Sequence, residues 1–230
     1  MNDMLSELEI IPENNTIYTS YTKNTLQETS INTEIFEPTF QDIVNIIQNN
    51  EYVKNTKSNK KKDISSLSYI VKRPLSQSDC IRLGNGYEKV LSDLIIKYSL
   101  LKNIKPKNTK GKKERDHLFI DENKKIIYYA ELKSNINLDT EKSKSTYTKC
   151  ILIVNELQEQ YPDYQIKWCL LALRYLYNDE IQSVIKKKYS EIESNLFGVN
   201  QYLDMLNINF KFSQEQYIEF INNLANNMFD

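Results

Sequence analysis

The run Asp116-His117-Leu118-Phe119-Ile120-Asp121-Glu122-Asn123-Lys124-Lys125-Ile126-Ile127-Tyr128-Tyr129-Ala130-Glu131-Leu132-Lys133 decides how this chain folds. Its flanks, 116 to 120 and 126 to 133, are mostly apolar or aromatic with β-branched members, and Asp121-Glu122-Asn123-Lys124 between them supplies turn chemistry. The pattern predicts an antiparallel hairpin. Upstream, Ser76 to Leu101 opens on Ser-Gln-Ser-Asp and then places Tyr87, Val90, Leu91, Leu94, Ile95 and Tyr98 at helical spacing. Gly84 and Gly86 stand just before that stripe, so a start or a break between them is expected. Downstream of Asp139-Thr140, Tyr147, Cys150, Ile151, Val154 and Leu157 predict a helix, and Ile166 to Leu173 is an apolar run of strand length covered on both faces. The order is therefore helix, strand, strand, helix, strand.

Outside this core the signals are shorter. Pro38-Thr39 opens an amphipathic run, Phe40, Ile43, Val44, Ile46 and Ile47, that reads as a helix ending near Asn49 and Asn50. Residues 1 to 38 are polar and weakly periodic and are left unassigned. Glu180 to Phe229 reads as two or three helices, one of them Ser213 to Phe229 with a serine cap and Gln216 three residues on.

The 230 residues are enough for one domain with a sizeable core, and only 4 glycines and 5 prolines exclude collagen-like or linker chains. The formal net charge is −1, but the charge is unevenly spread: residues 1–51 sum to −8, 52–115 to +12 and 116–230 to −5. A middle third at +12 makes a local positive field suited to a polyanion, or simply a solvated lysine-rich surface. Lys54 to Lys62 reads as a solvated loop, with DNA contact the sharper alternative. Cys80, Cys150 and Cys169 are odd in number and widely spaced, which suggests neither a disulfide framework nor a zinc site. No basic leader followed by an apolar stretch opens the chain, and no run approaches the roughly 18 apolar residues that span a bilayer. A cytoplasmic location is expected.

Side chains alternate across a strand, so Glu131 and Lys133 share one face while Ala130 and Leu132 share the other. Folding the hairpin brings Asp116 laterally near Glu131. Two neighbouring carboxylates repel unless a cation lies between them, and hard oxygen ligands completed by water suit Mg²⁺; the Leu132 carbonyl can add a ligand. Such an ion would polarise a phosphodiester and orient a water, with Lys133 holding that water and neutralising developing charge. An ordinary Glu131–Lys133 ion pair is the bland alternative. His117 points to the opposite face and is expected to be packed or solvent-facing rather than a general base.

Asp116, fourteen intervening residues and Glu131-Leu132-Lys133 at the end of an apolar strand resemble the signature of the PD-(D/E)XK nucleases, specifically the type II restriction endonucleases. The resemblance covers about residues 76 to 173. It departs from the family's pattern at Arg115, where a proline commonly precedes the first acid, and Asp121 is the fallback for that acid. The resemblance implies an α/β restriction-endonuclease-like core, with a central mixed β-sheet flanked by helices and further N- and C-terminal helices. It implies a single nuclease domain over 1–230: an arm and helix over 1–75, a catalytic core over 76–173 and helical segments over 174–230. It further implies that Asp116 and Glu131 bind Mg²⁺ with Leu132, that Lys133 positions the water, and that Glu88 matches an extra acid some members supply. A surface glutamate is the other reading of Glu88.

Lys112, Lys113 and Arg115 run into Asp116 and are expected to meet the DNA backbone. Ser134, Asn135, Asn137, Lys142 and Lys144 follow the E-x-K strand and are placed to reach base edges or flanking phosphates. The expected substrate is double-stranded DNA, and a palindromic site cut on both strands implies a homodimer. A cognate DNA methyltransferase is implied by the family alone. A junction-resolving or repair nuclease on the same core, and a non-catalytic DNA-binding module, are the competing expectations.

Overall fold

The computed structural model describes residues 37–56, 68–71, 75–106 and 114–229, all within one compact unit, Ile35–Asp230. Its centre is a five-stranded mixed sheet in the order β1 (Lys102–Asn103), β2 (His117–Asp121), β3 (Ile126–Lys133), β4 (Gln165–Ala172) and β5 (Leu196–Phe197). The first three strands are antiparallel, whereas β3, β4 and β5 run parallel. In the β2–β3 hairpin His117 stands opposite Ala130 and Asp121 opposite Ile126. The turn is closed by Lys124 N–H donating to Asp121 Oδ1 (2.9 Å), and Lys125 takes the left-handed conformation (φ 52°). Asp121 thus has a turn role, at the far end of the hairpin from Lys133.

Every residue of β2 and all but the last of β3 are buried. That explains why the two runs read as nearly continuous apolar segments: both faces carry helices, and no solvent face forces polar alternation. On one face Phe119, Tyr128, Ala130 and Leu132 pack into a cluster with α4 (Gln77–Tyr98), α7 (Val199–Met205) and α8 (Gln214–Phe229). On the other, Leu118, Ile120, Ile127 and Tyr129 pack under α5 (Thr140–Gln160) through Cys150, Ile153 and Leu157. α5 is the crossover between parallel strands β3 and β4, the connection such a pair requires.

The helix ends obey local chemistry. α1 (Phe40–Asn49) is capped by Thr39 with Asp42 in a capping box, and α4 by Ser76 with Asp79. Asp139 caps α5 by accepting from Lys142 N (2.8 Å), and Ser213 accepts from Gln216 N (3.2 Å) at the start of α8. Beyond α1 come two short helical turns, α2 (Glu51–Lys54) and α3 (Ser68–Val71). The stretch between β4 and α7 holds α6 (Ser183–Lys186), two 3₁₀ segments and β5.

Three expectations are corrected. α4 runs unbroken through Gly84 and Gly86. Gly86 is a packing residue: a Cβ there would stand 2.7 Å from the Met228 sulfur and 3.5 Å from Leu224 of α8, so glycine lets the two helices approach. On α5 the inward residue is Ile153, while Ile151 is exposed. The segment 174–230 is not wholly helical, because β5 extends the sheet by pairing with Leu170 and Leu171. No described helix is long and apolar enough to cross a membrane, and the three cysteines are free thiols.

Candidate active site

Asp116 sits one residue before β2, where the strand's register would place it across from Glu131. It is anchored there by the backbone: Leu132 N–H donates to Asp116 Oδ2 at 2.7 Å. Along a strand the N–H and C=O of one residue point to the same edge. The Leu132 carbonyl therefore lies on the edge of β3 that carries Asp116. Glu131 and Lys133 share the α5 face, as alternation requires, and Lys133 Nζ lies 2.7 Å from Glu131 Oε1. The three side chains expected to converge do so at one end of the hairpin.

Glu131 is buried, its side chain 1% exposed, and its carboxylate is saturated. Besides Lys133, Lys149 Nζ of α5 lies 2.8 Å from Oε1 and 2.8 Å from Oε2, and the Tyr129 hydroxyl donates to Oε2 at 3.2 Å. A buried carboxylate costs several kcal/mol of desolvation unless paired and hydrogen-bonded, and here two ammonium groups and a phenol do both. Lys149 did not emerge from the sequence. The available signal was its place beside Cys150, one turn from Ile153, on a helix that must cross the hairpin.

Electrostatics set Asp116 apart from an ordinary carboxylate. Burial, and then the Glu131 charge, push Asp116 up to about 6, against the opposing pull of the Leu132 amide and of Lys133. Burial alone would lower the Lys133 ammonium, but the charge of Glu131, its hydrogen bond and the charge of Asp116 together outweigh burial and hold Lys133 above the ordinary lysine value. Lys133 is thus a cation at neutral pH. Burial likewise pushes the adjacent Cys150 thiol up to about 12, so it is not a nucleophile at neutral pH.

Glu88 on α4 and Asp116 line the same cleft of about 1020 Å³, together with Asn85, Ser92, Asn103 and Lys105. Glu88 is half-buried and pairs with Lys105 Nζ at 2.5 Å. It is therefore no isolated surface carboxylate, and its charge contributes to raising Asp116. His117 faces away from this chemistry: Nδ1 bonds the Tyr202 hydroxyl (2.9 Å) and Nε2 meets the Glu88 carbonyl (2.9 Å). Burial lowers its pKa to about 4. It is a packed core histidine that ties α4 to α7.

The expected DNA contacts divide. Arg115 is drawn to Glu156 of α5 (3.1 Å) with its side chain 15% exposed, and so is not presented as an open cation beside Asp116. Lys112 and Lys113 lie outside the described residues. Ser134, Asn135 and Asn137 line a shallow recess of about 170 Å³ with Tyr175 and Gln182 at the carboxyl ends of β3 and β4, beside the E-x-K residues. Lys142 is exposed and pairs with its own cap, Asp139 (3.2 Å), while Lys144 is exposed on the first turns of α5.

Among the described residues no three His, Cys, Asp or Glu side chains gather as a ready metal cage. What is present is a pair of carboxylates and a backbone edge. Once a donor on Glu131 gives way, that set suits a hard ion that keeps several waters, as Mg²⁺ does, and an Asp116 pushed upward by burial and then by its neighbouring carboxylate is what such an ion would relieve. Comparison with family models, with curated proteins and with solved structures found no match to this chain.

Proposed function

We propose that this protein is a Mg²⁺-dependent endonuclease of double-stranded DNA, of the type II restriction class, acting as a homodimer in the cytoplasm. The observation that carries the reading is the meeting of Asp116, Glu131 and Lys133 at one end of the β2–β3 hairpin, with the Leu132 amide on Asp116. A mixed sheet clasped between two helical layers is compatible with the restriction-endonuclease core that the E-x-K spacing resembles.

In this reading Asp116, Glu131 and the Leu132 carbonyl would hold the ion. When bound, the ion would polarise the scissile phosphate and lower the pKa of a water for in-line attack. Lys133 would hold that water by its ammonium and then face the charge that builds on the phosphorus oxygens. Glu88, which lines the same cleft as Asp116, would supply an extra acid to the metal or its water, and Lys105, paired with it, would meet the flanking backbone. Ser134, Asn135 and Asn137 would approach the bases, because their loop leaves β3 directly after Lys133.

One observation favours a second reading, a DNA-binding module without catalysis: Glu131 is fully occupied by Lys133, Lys149 and Tyr129, as in a structural ion-pair cluster. Incubation with long duplex DNA and Mg²⁺ separates the possibilities. Discrete fragments support the restriction reading, a smear or cutting of branched substrates only supports a different nuclease, and binding without cleavage supports the module.

A further inference from the structure

A carboxylate has about four acceptor positions, and on Glu131 all four are taken. Lys133 and Lys149 share Oε1, and Lys149 and Tyr129 share Oε2. A metal ion can reach Glu131 only by displacing one of these donors. Tyr129 and Lys133 stand on β3 itself, two residues either side of Glu131, and Tyr129 is fully buried. Lys149 is different. It comes from α5 and not from the strand, and although its side chain (28% exposed) is no more open than that of Lys133 (33%), its ammonium alone straddles both oxygens at 2.8 Å, the position a cation takes on a bidentate carboxylate. A divalent ion shared by Glu131 and Asp116 would repel an ammonium held there by like charge. The long, flexible lysine stem lets that ammonium leave without unfolding the helix.

We propose that Lys149 is an exchangeable counter-ion of the nuclease site: it occupies the cation position on Glu131 until metal and DNA arrive together, then moves to a phosphodiester oxygen. The inference rests on the nuclease reading above and adds its regulation. Metal alone must expel a bound cation with nowhere favourable to go, so it binds weakly. A DNA phosphate offers the displaced ammonium a new anionic partner, so metal and duplex assist each other's binding. Lys149 is on this account a positioning residue for the metal and a phosphate contact afterwards.

The test is Mn²⁺ binding to the full-length protein by calorimetry, without DNA, on wild type, Lys149→Met and Lys149→Gln. Circular dichroism checks that each is folded; Gln keeps a donor for Glu131 and serves if Met does not fold. The neutral variants should bind Mn²⁺ about tenfold more tightly or better, the low end of the range by which partners of metal ligands move affinity, here as a gain because the group removed competes with the ion for Glu131. A second reading uses Ca²⁺ in place of Mg²⁺ and a random-sequence duplex. With Ca²⁺ present, loss of Lys149 should reduce the salt slope of DNA binding by about one, and without metal it should leave the slope unchanged. Measurable Mn²⁺ affinity that changes less than threefold on removing Lys149 overturns this inference and leaves the metal site standing. Absence of Mn²⁺ binding to Asp116 and Glu131 in all three proteins overturns the nuclease reading and this inference with it.

Discussion

Asp116→Asn isolates the electrostatic cost of burying a second carboxylate beside Glu131. The carboxyl moves from an ordinary 3.8 in the unfolded chain to about 6 in the fold, a span of about two pH units. At roughly 1.4 kcal/mol per unit this is about 3 kcal/mol at most, and about half of that once the solvent reaching Asp116 is allowed for. The sign follows from the direction. A folded value raised above the unfolded one means that ionisation is harder in the fold, so the contribution is fully present below about pH 4 and lost as pH rises through about 6. Asparagine keeps an oxygen to accept from Leu132 N–H but cannot ionise. In EDTA, urea unfolding of wild type and Asp116→Asn should therefore coincide near pH 4. The variant should then gain, with its lead of roughly 1.5–3 kcal/mol complete by about pH 7. Saturating Mg²⁺ should shrink that lead, since an ion at 100 times its dissociation constant stabilises wild type by about 2.7 kcal/mol. A stability difference that stays flat between pH 4 and 7 in EDTA would refute the burial of an ionisable Asp116 beside Glu131.

The next residue titrates with the opposite sign. His117 is lowered from 6.5 to about 4 by burial, so its contribution is present above pH 6.5 and is lost as pH falls toward 4, at most about 3 kcal/mol. In His117→Gln the acid-side loss should flatten, and an unchanged acid limb in urea titrations would count against a neutral, buried imidazole. Lys133→Ala should leave duplex binding within a few-fold while lowering single-turnover cleavage by at least about 10²-fold; cleavage at the wild-type rate would remove Lys133 from the chemistry. Gly86→Val should destabilise by about 1–3 kcal/mol through contact with Met228 and Leu224. Met228→Ala in the same chain should recover part of it, and additivity in that double-mutant cycle would show that α4 and α8 do not meet there.

The elements legible in the sequence are those with a strong period or strong punctuation. The hairpin was fixed by two apolar runs around Asp121-Glu122-Asn123-Lys124, and α1, α4, α5 and α8 by capping residues ahead of a helical stripe. β1 and β5 were not legible, because two residues carry no period and each exists only through its neighbour in the sheet. Gly86 misled, since its lack of a side chain serves contact with α8 and not a helix boundary. Asp116, Glu131 and Lys133 could be brought together from strand alternation and one tight turn. Lys149 could not, because which helix turn lies over Glu131 depends on how α5 returns to β4.

The crossover topology also sets an order of assembly. The β2–β3 ribbon closes over a short turn, whereas pairing β3 with β4 must first bring Lys125 to Gln165 across the whole of α5. Hairpins form in microseconds and distant parallel partners come later. Asp116, Glu131 and Lys133 thus reach their mutual register while Glu131 is still bathed in water, and the docking of α5 then seals a carboxylate already matched with its first lysine. Pulse-labelled amide exchange should find the β2–β3 amides protected before those of β4, and simultaneous protection would show that the ribbon does not form ahead of the sheet.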